Sequence, residues 1–331
     1  MPIDFAQWAE EFRDNWTDSP RRAILEGLYY GYLGGWLTAT SRFDVGTNVY
    51  DREWDLLVVL DACRVDALRT VAPEYDFLDG GDIGSMWSLG SASAEWMCKT
   101  FTTDYESEIG ETTYLSANPY TTKTFVDGRY APPKAAPFGS PGEEVVDAAA
   151  FGELRNLYAQ RRNDRFGIVM PENLTDAAIY AGRNANPERT IVHYMQPHTP
   201  YFTAALEEGR DLTDAEYKPW SALRRGELEY NTVWEWYLDT LRAALDSVSV
   251  LLANIEAERV VITADHGEAF GEWGVHNHLT GFPHPAVKRV PWAETTAIDA
   301  GTYEPTPLVA PAETDTSDAL VNEQLEALGY V

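Results

Sequence analysis

The sequence predicts an α/β fold: a doubly wound, mostly parallel sheet flanked by helices, with a small C-terminal appendage. Short continuous apolar runs of strand length alternate with longer segments of helical periodicity. Of the 331 residues, 44% are hydrophobic and 12% are aromatic, which is enough to fill a large core. The apolar runs lack alternating polar positions, which is typical of parallel strands because helices cover both of their faces.

The first third of the chain predicts helices on either side of one buried strand. Residues 3–39 have the periodicity of two helices, the second of which starts at a Ser-Pro pair. The apolar run WDLLVVL, at 54–60, predicts a strand that ends at Asp61 and is followed by a helix. Residues 81–101 begin as a turn rich in glycine and serine and become helical in their second half.

The rest of the chain continues this alternation. Apolar runs predict strands at 112–117, 166–170, 190–196 and 259–263. Helical periodicity predicts helices at 143–162, 171–184 and 227–257, and the sequence beyond Pro291 is acidic and loop-like before a closing helix at 316–328. We therefore predict an N-terminal helical segment at 1–45, a catalytic α/β domain at 46–295 and an acidic appendage at 296–331.

The composition is strongly acidic. The 53 acidic residues outnumber the 25 basic ones, which gives a net charge of −28, and few of the basic residues are lysines. Such a surface repels phosphate backbones, which excludes nucleic acid as a partner. An acid-rich and lysine-poor folded chain predicts adaptation to high salt, where short-range screening makes self-repulsion tolerable.

Cysteine content and hydropathy indicate the compartment. Cys63 and Cys98 form neither a disulfide framework nor a zinc motif. The sequence shows no transmembrane segment and no signal peptide, so we expect a cytoplasmic protein. The aromatic residues at 29–36 leave open a peripheral contact with a membrane, although core packing explains them as well. The sequence does not predict the oligomeric state.

Side chains able to bind a metal follow three of the predicted strands. Asp61 follows the first, His198 follows the strand at 190–196, and Asp265-His266 follows the strand at 259–263. Ligands of open parallel sheets bind beyond the carboxyl ends of the strands. All six histidines fall in the stretch from 193 to 284, and imidazole both binds metals and transfers protons near neutral pH. These positions predict a metal site at one edge of the sheet.

Five segments resemble, in order, the sulfatase-like branch of the alkaline phosphatase superfamily, in a form of haloarchaeal type. They are VVLDACRVD, HYMQPHTPY, ITADHGEAFGE, KRVPW and LEALGYV, and they extend from about residue 54 to residue 331. The ADHGE segment after an apolar strand is the most specific of them. The resemblance implies an α/β fold, a divalent metal at the strand ends and a nucleophile that accepts a sulfuryl or phosphoryl group.

The resemblance also implies roles for single residues. Asp61, Asp265 and His266 match metal ligands, and His198 matches a histidine that protonates the leaving group or contacts the transferred group. Ala62 stands where many relatives have a second aspartate, so one ligand is missing. Calcium, magnesium, manganese and zinc all stay open as the cation.

The resemblance places the nucleophile at Ser88. Relatives have a C/S-x-P-x-R motif whose first residue becomes formylglycine, but here Gly90 and Ala92 replace the proline and the arginine. No formylglycine is therefore expected, and Ser88 would attack directly, activated by the cation and by a helix N-terminus. Ser91 is the alternative nucleophile. A role in turns or helix capping is the competing interpretation for these serines and for Ser93.

Other residues are assigned to substrate binding or to support. His276 and His278 would bind the substrate or complete a second metal site, and Arg64 would face the same pocket. We expect structural or supporting roles for the remaining candidates, which are Asn118, His193, Glu268, His284 and Lys288-Arg289. Two alternatives stay open: Lys288-Arg289 could bind an anion, and Asn118 could contact the substrate.

The leading hypothesis is a metal-dependent hydrolase that acts on phosphate or sulfate esters of a small molecule, glycan or lipid. A serine sulfate lacks the geminal hydroxyl that lets formylglycine eject sulfate, which favours a phosphate ester. One alternative is a transferase that moves a phospho group to a lipid or sugar alcohol. Another is an inactive metal- or glycan-binding protein, because Ala62, Gly90 and Ala92 depart from the pattern.

Overall fold

The computed structural model of the chain describes residues 20–40, 43, 45–130, 144–185 and 187–306. The strands in this part of the chain are β1 (Leu56–Leu60), β2 (Gly84–Trp87), β3 (Thr112–Ser116), β4 (Glu153–Asn156), β5 (Arg189–Tyr194), β6 (Ala257–Thr263), β7 (Ala269–Phe270), β8 (His276–Asn277) and β9 (Arg289–Ala297). The α-helices are α1 (Pro20–Thr40), α2 (Val65–Val71), α3 (Ser93–Thr100), α4 (Glu106–Gly110), α5 (Tyr120–Phe125), α6 (Tyr158–Arg161), α7 (Pro171–Ala185), α8 (Thr203–Glu207), α9 (Asp214–Tyr217), α10 (Pro219–Arg224), α11 (Tyr230–Leu252) and α12 (Pro285–Lys288).

Seven of these strands form one sheet in the order β2-β9-β6-β1-β5-β3-β4. The five strands from β6 to β4 pair in parallel, whereas β9 and β2 are antiparallel additions at one edge. The predicted doubly wound, mostly parallel sheet is therefore confirmed. A separate hairpin consists of β7 and β8. None of the described helices is both long enough and apolar enough to cross a lipid bilayer.

The central strand β1 explains why the sheet is built around this segment. All five residues of LLVVL are buried, and they pair in parallel with β5 on one side and β6 on the other. A strand that is covered on both faces contributes every side chain to the core, so a continuous apolar run is favoured over an alternating one. Complete burial of a leucine or valine contributes about 1.5–3 kcal/mol each.

Helices cover both faces of the sheet, as two adjacent residues of β5 show. Successive side chains of a strand point to opposite faces. The His193 ring packs against Trp96 of α3, with ring centroids 5.5 Å apart, whereas the Tyr194 hydroxyl lies 2.6 Å from Thr175 Oγ1 of α7. Helices α7 and α11 pack together on the Tyr194 face, and α3 packs with α5 on the other.

Two predicted elements are wrong. The segment 143–162, predicted as one helix, contains β4, which pairs in parallel with β3, and only the short helix α6. Strand pairing at the sheet edge outweighs the local helical periodicity there. Residues 166–170 form no strand, because Phe166, Ile168 and Met170 pack into a small cluster with Phe202 while their backbone stays outside the sheet.

The region after residue 288 also differs from its prediction. Instead of a loop beyond Pro291, the chain continues as β9, which lies between β2 and β6. The residues from Val290 to Ala293 are buried in succession, and Glu294 is exposed. The predicted first helix of 3–39 and the closing helix at 316–328 lie outside the described residues. The boundaries of the three predicted parts stay predictions.

Candidate metal centre

The sheet order places four strand ends side by side. The neighbouring strands β6, β1, β5 and β3 run parallel, so the residues that follow them meet at one edge. These residues are Asp265 after β6, Asp61 after β1, His198 after β5 and Asn118 after β3, and all four are buried. The edge therefore gathers polar side chains inside the protein, where each needs a partner.

Asp61, Asp265 and His266 form a compact group, which we call the carboxylate cluster. One ligand atom from each lies within 4.8 Å of the other two. His266 Nε2 is 3.6 Å from Asp61 Oδ1 and 3.4 Å from Asp265 Oδ2. The structure thus brings together the three residues that the sequence predicts as metal ligands.

The backbone of Ala62 helps to hold this cluster. Asp265 Oδ1 accepts hydrogen bonds from the main-chain nitrogens of Ala62, at 3.2 Å, and His266, at 2.8 Å. Ala62 has a φ of +62°, which is uncommon for a residue with a side chain and marks backbone strain at the site. Its carbonyl accepts a hydrogen bond of 2.8 Å from Tyr237 Oη. The position that lacks the expected aspartate therefore supports the site through its backbone.

The other two members of the cluster are oriented by hydrogen bonds. Asp61 Oδ2 accepts from Asn118 Nδ2 at 2.7 Å and from Ser93 Oγ at 3.2 Å. His266 Nδ1 lies 2.8 Å from the carbonyl of Gly267. Because a carbonyl can only accept, Nδ1 carries the hydrogen and Nε2 presents its lone pair to the carboxylates. Asn118 thus contacts Asp61 directly, beyond the turn role that the sequence favours.

The electrostatics of the cluster fit a divalent cation. Burial and the neighbouring Asp265 carboxylate raise the pKa of Asp61 well above its usual value. Asp61 Oδ1 and Asp265 Oδ2 are buried and have no hydrogen-bond partner among the described residues. Two ionised carboxylates are not stable side by side in a buried site unless a positive charge compensates them. Two carboxylate oxygens and an imidazole lone pair are suitable ligands for that charge.

His193 lies at the same site, although the sequence indicated a structural role for it. Its Nε2 is 3.7 Å from Asp265 Oδ2 and 4.0 Å from Asp61 Oδ2, and it has no hydrogen-bond partner among the described residues. Its Nδ1 is 2.7 Å from Tyr114 Oη. Burial lowers the pKa of His193 to about 4, so the ring is neutral at pH 7. The sequence feature that could have indicated this position is a histidine that follows the apolar residues Ile191 and Val192 within a buried strand.

A second group of possible ligands, the histidine cluster, adjoins the first. It consists of His198, Glu268 and His278, whose ligand atoms lie within 4.8 Å of one another. His278 Nδ1 is 3.2 Å from Glu268 Oε1, and the rings of His278 and His266 have centroids 4.3 Å apart. Burial raises the pKa of Glu268 to about 8 and lowers that of His278 to about 4. Glu268, predicted to support His266, lies within hydrogen-bond distance of His278 Nδ1 instead.

The three serines that precede or begin α3 have different surroundings. Ser88 Oγ hydrogen-bonds to the carbonyl of Asp265 and accepts from the nitrogen of Gly90. Ser91 Oγ donates to Glu95 Oε2 at 2.7 Å. Of the three, Ser93 is the one whose hydroxyl reaches the side chains of the carboxylate cluster, because its Oγ lies 3.2 Å from Asp61 Oδ2 and 3.3 Å from His266 Nε2. Ser93, which the sequence analysis assigned to a turn or helix cap, is therefore the serine whose side chain adjoins the predicted metal ligands.

The position of Ser93 follows from how α3 begins. Ser93 is the first residue of the helix, and no side chain caps the helix at Ala92. The first main-chain N–H groups of a helix have no partner within it, and they carry partial positive charge. The carboxylate cluster therefore faces a hydroxyl group at a helix end that favours anions.

Arg64 and His276 lie beside the two clusters without joining either of them. The Arg64 guanidinium is paired with Asp66 and Glu272, both at 2.7 Å, and it donates to the carbonyl of Glu268 at 3.0 Å. Through these contacts, the guanidinium group of Arg64 supports the loop after β6. His276 is half-buried on β8 and is in neither candidate group. The substrate-binding roles predicted for both stay predictions.

The remaining candidates have supporting surroundings. His284 accepts a hydrogen bond of 3.1 Å from the nitrogen of Ala286 and so caps α12. Arg289 Nε donates to Ser85 Oγ at 2.7 Å on the antiparallel edge of the sheet. Lys288 is completely buried, and its Nζ has no hydrogen-bond partner among the described residues.

No protein-family model matches this chain, and no curated protein does. Among solved structures, the chain is similar to the soluble domain of lipooligosaccharide phosphoethanolamine transferase A from Neisseria meningitidis, with 17% identity over 73% of this chain and 75% of that one and a TM-score of 0.46. It is also similar to the C-terminal periplasmic domain of phosphoethanolamine transferase EptC from Campylobacter jejuni (14%, 72% and 77%, 0.43). A putative sulfatase from Bacteroides fragilis is a further match (12%, 73% and 68%, 0.33). Because these TM-scores are below 0.5, we draw no function from them.

Proposed function

We propose that the protein is a metal-dependent enzyme that cleaves phosphate esters through a covalent intermediate on Ser93. The observation that carries this proposal is the position of the Ser93 hydroxyl, at the start of α3 and within 3.3 Å of both Asp61 Oδ2 and His266 Nε2. Ser93 replaces Ser88 as our candidate nucleophile, because Ser88 Oγ is engaged by main-chain groups.

Asp61, Asp265 and His266 would hold the cation, with His193 Nε2 as a further nitrogen at the same site. When bound, the cation lowers the pKa of a hydroxyl group beside it and stabilises charge on a phosphoryl oxygen. The histidine cluster offers ligands for a second cation, since two imidazoles and a carboxylate are a known catalytic zinc set. With imidazole in both groups, we favour zinc or manganese over calcium and magnesium.

The side chains of the site can carry out the transfer in two steps. Ser93 Oγ forms a bond to phosphorus while the bond from phosphorus to the leaving oxygen breaks, and the Ser93 proton has an acceptor in Asp61 Oδ2 at 3.2 Å. When no second cation occupies the histidine cluster, the leaving oxygen takes a proton from Glu268, because burial raises the pKa of that carboxyl group to about 8 and keeps it protonated at pH 7. His198, the donor expected from the sequence, is neutral at that pH, because burial lowers its pKa well below the usual value. Water then cleaves the phosphoserine and releases phosphate. The main-chain N–H groups at the start of α3, which have no partner within the helix, would stabilise the anion in both steps.

A phosphate ester suits this nucleophile better than a sulfate ester. A phosphoserine is cleaved by attack at phosphorus, whereas a plain serine sulfate lacks the neighbouring hydroxyl that formylglycine uses to expel sulfate. Gly90 and Ala92 stand in place of the proline and arginine of the formylglycine motif, so the chain has no signal for that conversion.

Serine variants test the proposal. Purified protein is loaded with zinc or manganese and assayed with nitrophenyl phosphate, a phosphodiester and nitrophenyl sulfate. We expect phosphate-ester turnover, with Ser93→Ala lowering it by about a thousandfold or more and Ser88→Ala, the matched control, having a much smaller effect. Mass spectrometry of acid-quenched protein should locate the phosphate on Ser93.

Two outcomes would contradict the proposal. Retention of turnover and label in the Ser93→Ala protein would move the nucleophile elsewhere. Tight metal binding without turnover of any ester would support the alternative of an inactive binding protein.

Transfer to an alcohol acceptor is the second candidate function. It is favoured by two exposed apolar side chains, Trp273 and Leu279, which lie in the loop that carries His278 and could contact an apolar acceptor. Adding a primary alcohol to the assay separates the two candidates. A transferase gives alcohol phosphate at the expense of free phosphate, whereas a hydrolase keeps its phosphate yield.

A further inference from the structure

Two segments without acidic residues meet beside the candidate metal centre. No aspartate or glutamate lies between Glu26 and Asp44 or between Glu272 and Glu294, in a chain that has 53 acidic residues. The first segment includes most of α1, and the second includes the loop that carries His278 of the histidine cluster.

Side-chain contacts join the two segments. Tyr29 Oη donates to the carbonyl of Thr280 at 3.0 Å, and Tyr32 Oη donates to the carbonyl of Gly281 at 2.5 Å. Gly281 has a φ of +80°, and a Cβ added there would lie 3.1 Å from the Trp36 ring. The inner side of α1 therefore packs closely on the turn that follows His278.

Among the residues of α1 whose side chains the structure describes, none of the exposed ones is charged. These positions recur with helical spacing and are Ile24, Leu28, Gly31, Tyr32, Gly35 and Ala39. Leu28 is 66% exposed. A helix on the surface of a soluble protein normally directs charged residues to solvent, and a chain with a net charge of −28 has many to place there. The stripe from Ile24 to Ala39 departs from that pattern at each exposed position that the structure describes.

The loop after β6, which α1 contacts at Thr280 and Gly281, has exposed apolar side chains of its own. Leu279 and Trp273 are exposed, Trp273 by 71%. Trp273 has a φ of +52°, which is an outlier for a bulky residue, and its ring is supported by Phe282 and His284, at centroid distances of 5.7 and 4.8 Å. The backbone here holds an indole ring in solvent, where an apolar side chain has no favourable partner.

In the sequence, the segment from residue 20 to residue 43 carries a small net positive charge. Residues 20–43 contain three arginines, Arg21, Arg22 and Arg42, and one glutamate, Glu26, so their net charge is 3 − 1 = +2. The complete chain has a net charge of −28. Basic residues next to exposed apolar and aromatic side chains are typical of helices that lie in the interface of an anionic bilayer.

We propose that the outward stripe of α1, together with Leu279 and Trp273, binds the surface of a phospholipid bilayer. We call these residues the apolar face. The helix would lie in the plane of the interface, with its exposed apolar side chains among the acyl chains. Because Leu279 follows His278 directly, the bound membrane would border the candidate metal centre. The proposal goes beyond the proposed function and does not depend on it.

Vesicle flotation tests the proposal. The full chain is mixed with vesicles of phosphatidylcholine alone or with about 30 mol% phosphatidylglycerol, at about 0.15 M and about 2 M KCl. We expect the protein to float with the vesicles and to bind the anionic ones more tightly at low salt. Leu28→Glu should lower the partition coefficient at least about tenfold, as removal of one buried leucine predicts. Trp273→Glu should have a similar effect.

Leu206→Glu is the matched control, because Leu206 is 49% exposed on α8, outside the apolar face. Circular dichroism confirms that each variant is folded, and Ser93→Ala should bind vesicles as the parent does, which separates docking from catalysis. The proposal is overturned if the parent fails to float with either vesicle, or if Leu206→Glu weakens binding as much as Leu28→Glu. It is also overturned if Leu28→Glu only dissociates a dimer in light scattering, since the face would then bind a second copy.

Discussion

At the scale of single residues, the orientation of hydroxyl and imidazole groups determines which of them reach the candidate metal centre. Ser88 and Ser93 are five residues apart in one serine-rich segment, yet Ser88 Oγ meets the main-chain carbonyl of Asp265, whereas Ser93 Oγ contacts the side chains of the carboxylate cluster. The difference arises because Ser88 precedes α3 and is held by main-chain groups, whereas Ser93 begins the helix. A helix end fixes the direction of its first side chain, and sequence spacing alone does not reveal that direction.

His193 is predicted to contribute to metal affinity. Replacing it with glutamine removes the nitrogen that lies 3.7 Å from Asp265 Oδ2, and we expect zinc affinity to fall by about 10- to 100-fold. Competition with a chromophoric chelator measures the change. His276→Gln is the control, because His276 belongs to neither cluster. Equal affinities for the parent and His193→Gln would show that His193 only packs in the core.

Lys288 is predicted to make stability depend on pH. Burial lowers the pKa of its amine to about 8, although Glu95 opposes that shift. Between this value and the ordinary value of 10.5, the unfolded chain binds more protons than the folded one, so the free energy of unfolding rises with pH. The contribution is about 3 kcal/mol across that interval.

Lys288→Met should remove this pH dependence and stabilise the protein at pH 7. Urea unfolding of the parent and the variant at pH 7 and pH 10 measures it, and the difference between the two proteins cancels the other titrating groups. A difference that stays constant between the two pH values would contradict the prediction.

At the scale of elements, glycine at position 90 has a packing reason. A Cβ on Gly90 would lie 2.3 Å from the main-chain nitrogen of Trp96, so the loop before α3 packs directly against the helix backbone. Glycine, which stands here in place of the motif proline, therefore allows the loop to approach the helix closely. The same approach fixes the start of α3 and with it the position of Ser93.

Gly90→Ala should shift the start of α3. We expect a loss of about 1–3 kcal/mol in the free energy of unfolding, as for other overpacked sites, and a clear fall in turnover because Ser93 moves. Gly110→Ala is the control, since the nearest atom to its added Cβ is 3.8 Å away. Unfolding in urea and the ester assay measure the two effects. Parent-like turnover in Gly90→Ala would show that the start of α3 tolerates displacement.

At the scale of the whole molecule, the net charge of −28 sets the response to salt. Repulsion among surface carboxylates destabilises the compact state, and the Debye length falls from about 10 Å at 0.1 M to about 3 Å at 1 M salt. We therefore propose that the protein is adapted to concentrated salt.

The midpoint of urea unfolding should rise when KCl increases from about 0.1 M to about 1 M, with most of the gain below about 0.5 M, where screening changes fastest. A gain that continues linearly to about 3 M would instead indicate a general effect of salt on apolar burial. A midpoint that is independent of KCl concentration would argue against stabilisation by screening.

The sequence by itself determined the parallel core and the metal-capable residues. Apolar runs such as LLVVL in β1 mark strands that are buried on both faces, and Asp61 and Asp265 follow two of these strands. Strand burial and strand ends are local features, so a single sequence shows them. The antiparallel strand β9 and the edge strand β4 were missed, because their backbone bonds are made to distant segments. Only the tertiary structure decided which serine reaches the cluster and that His193 adjoins it, since those contacts depend on how α3 and β5 are placed against β1 and β6.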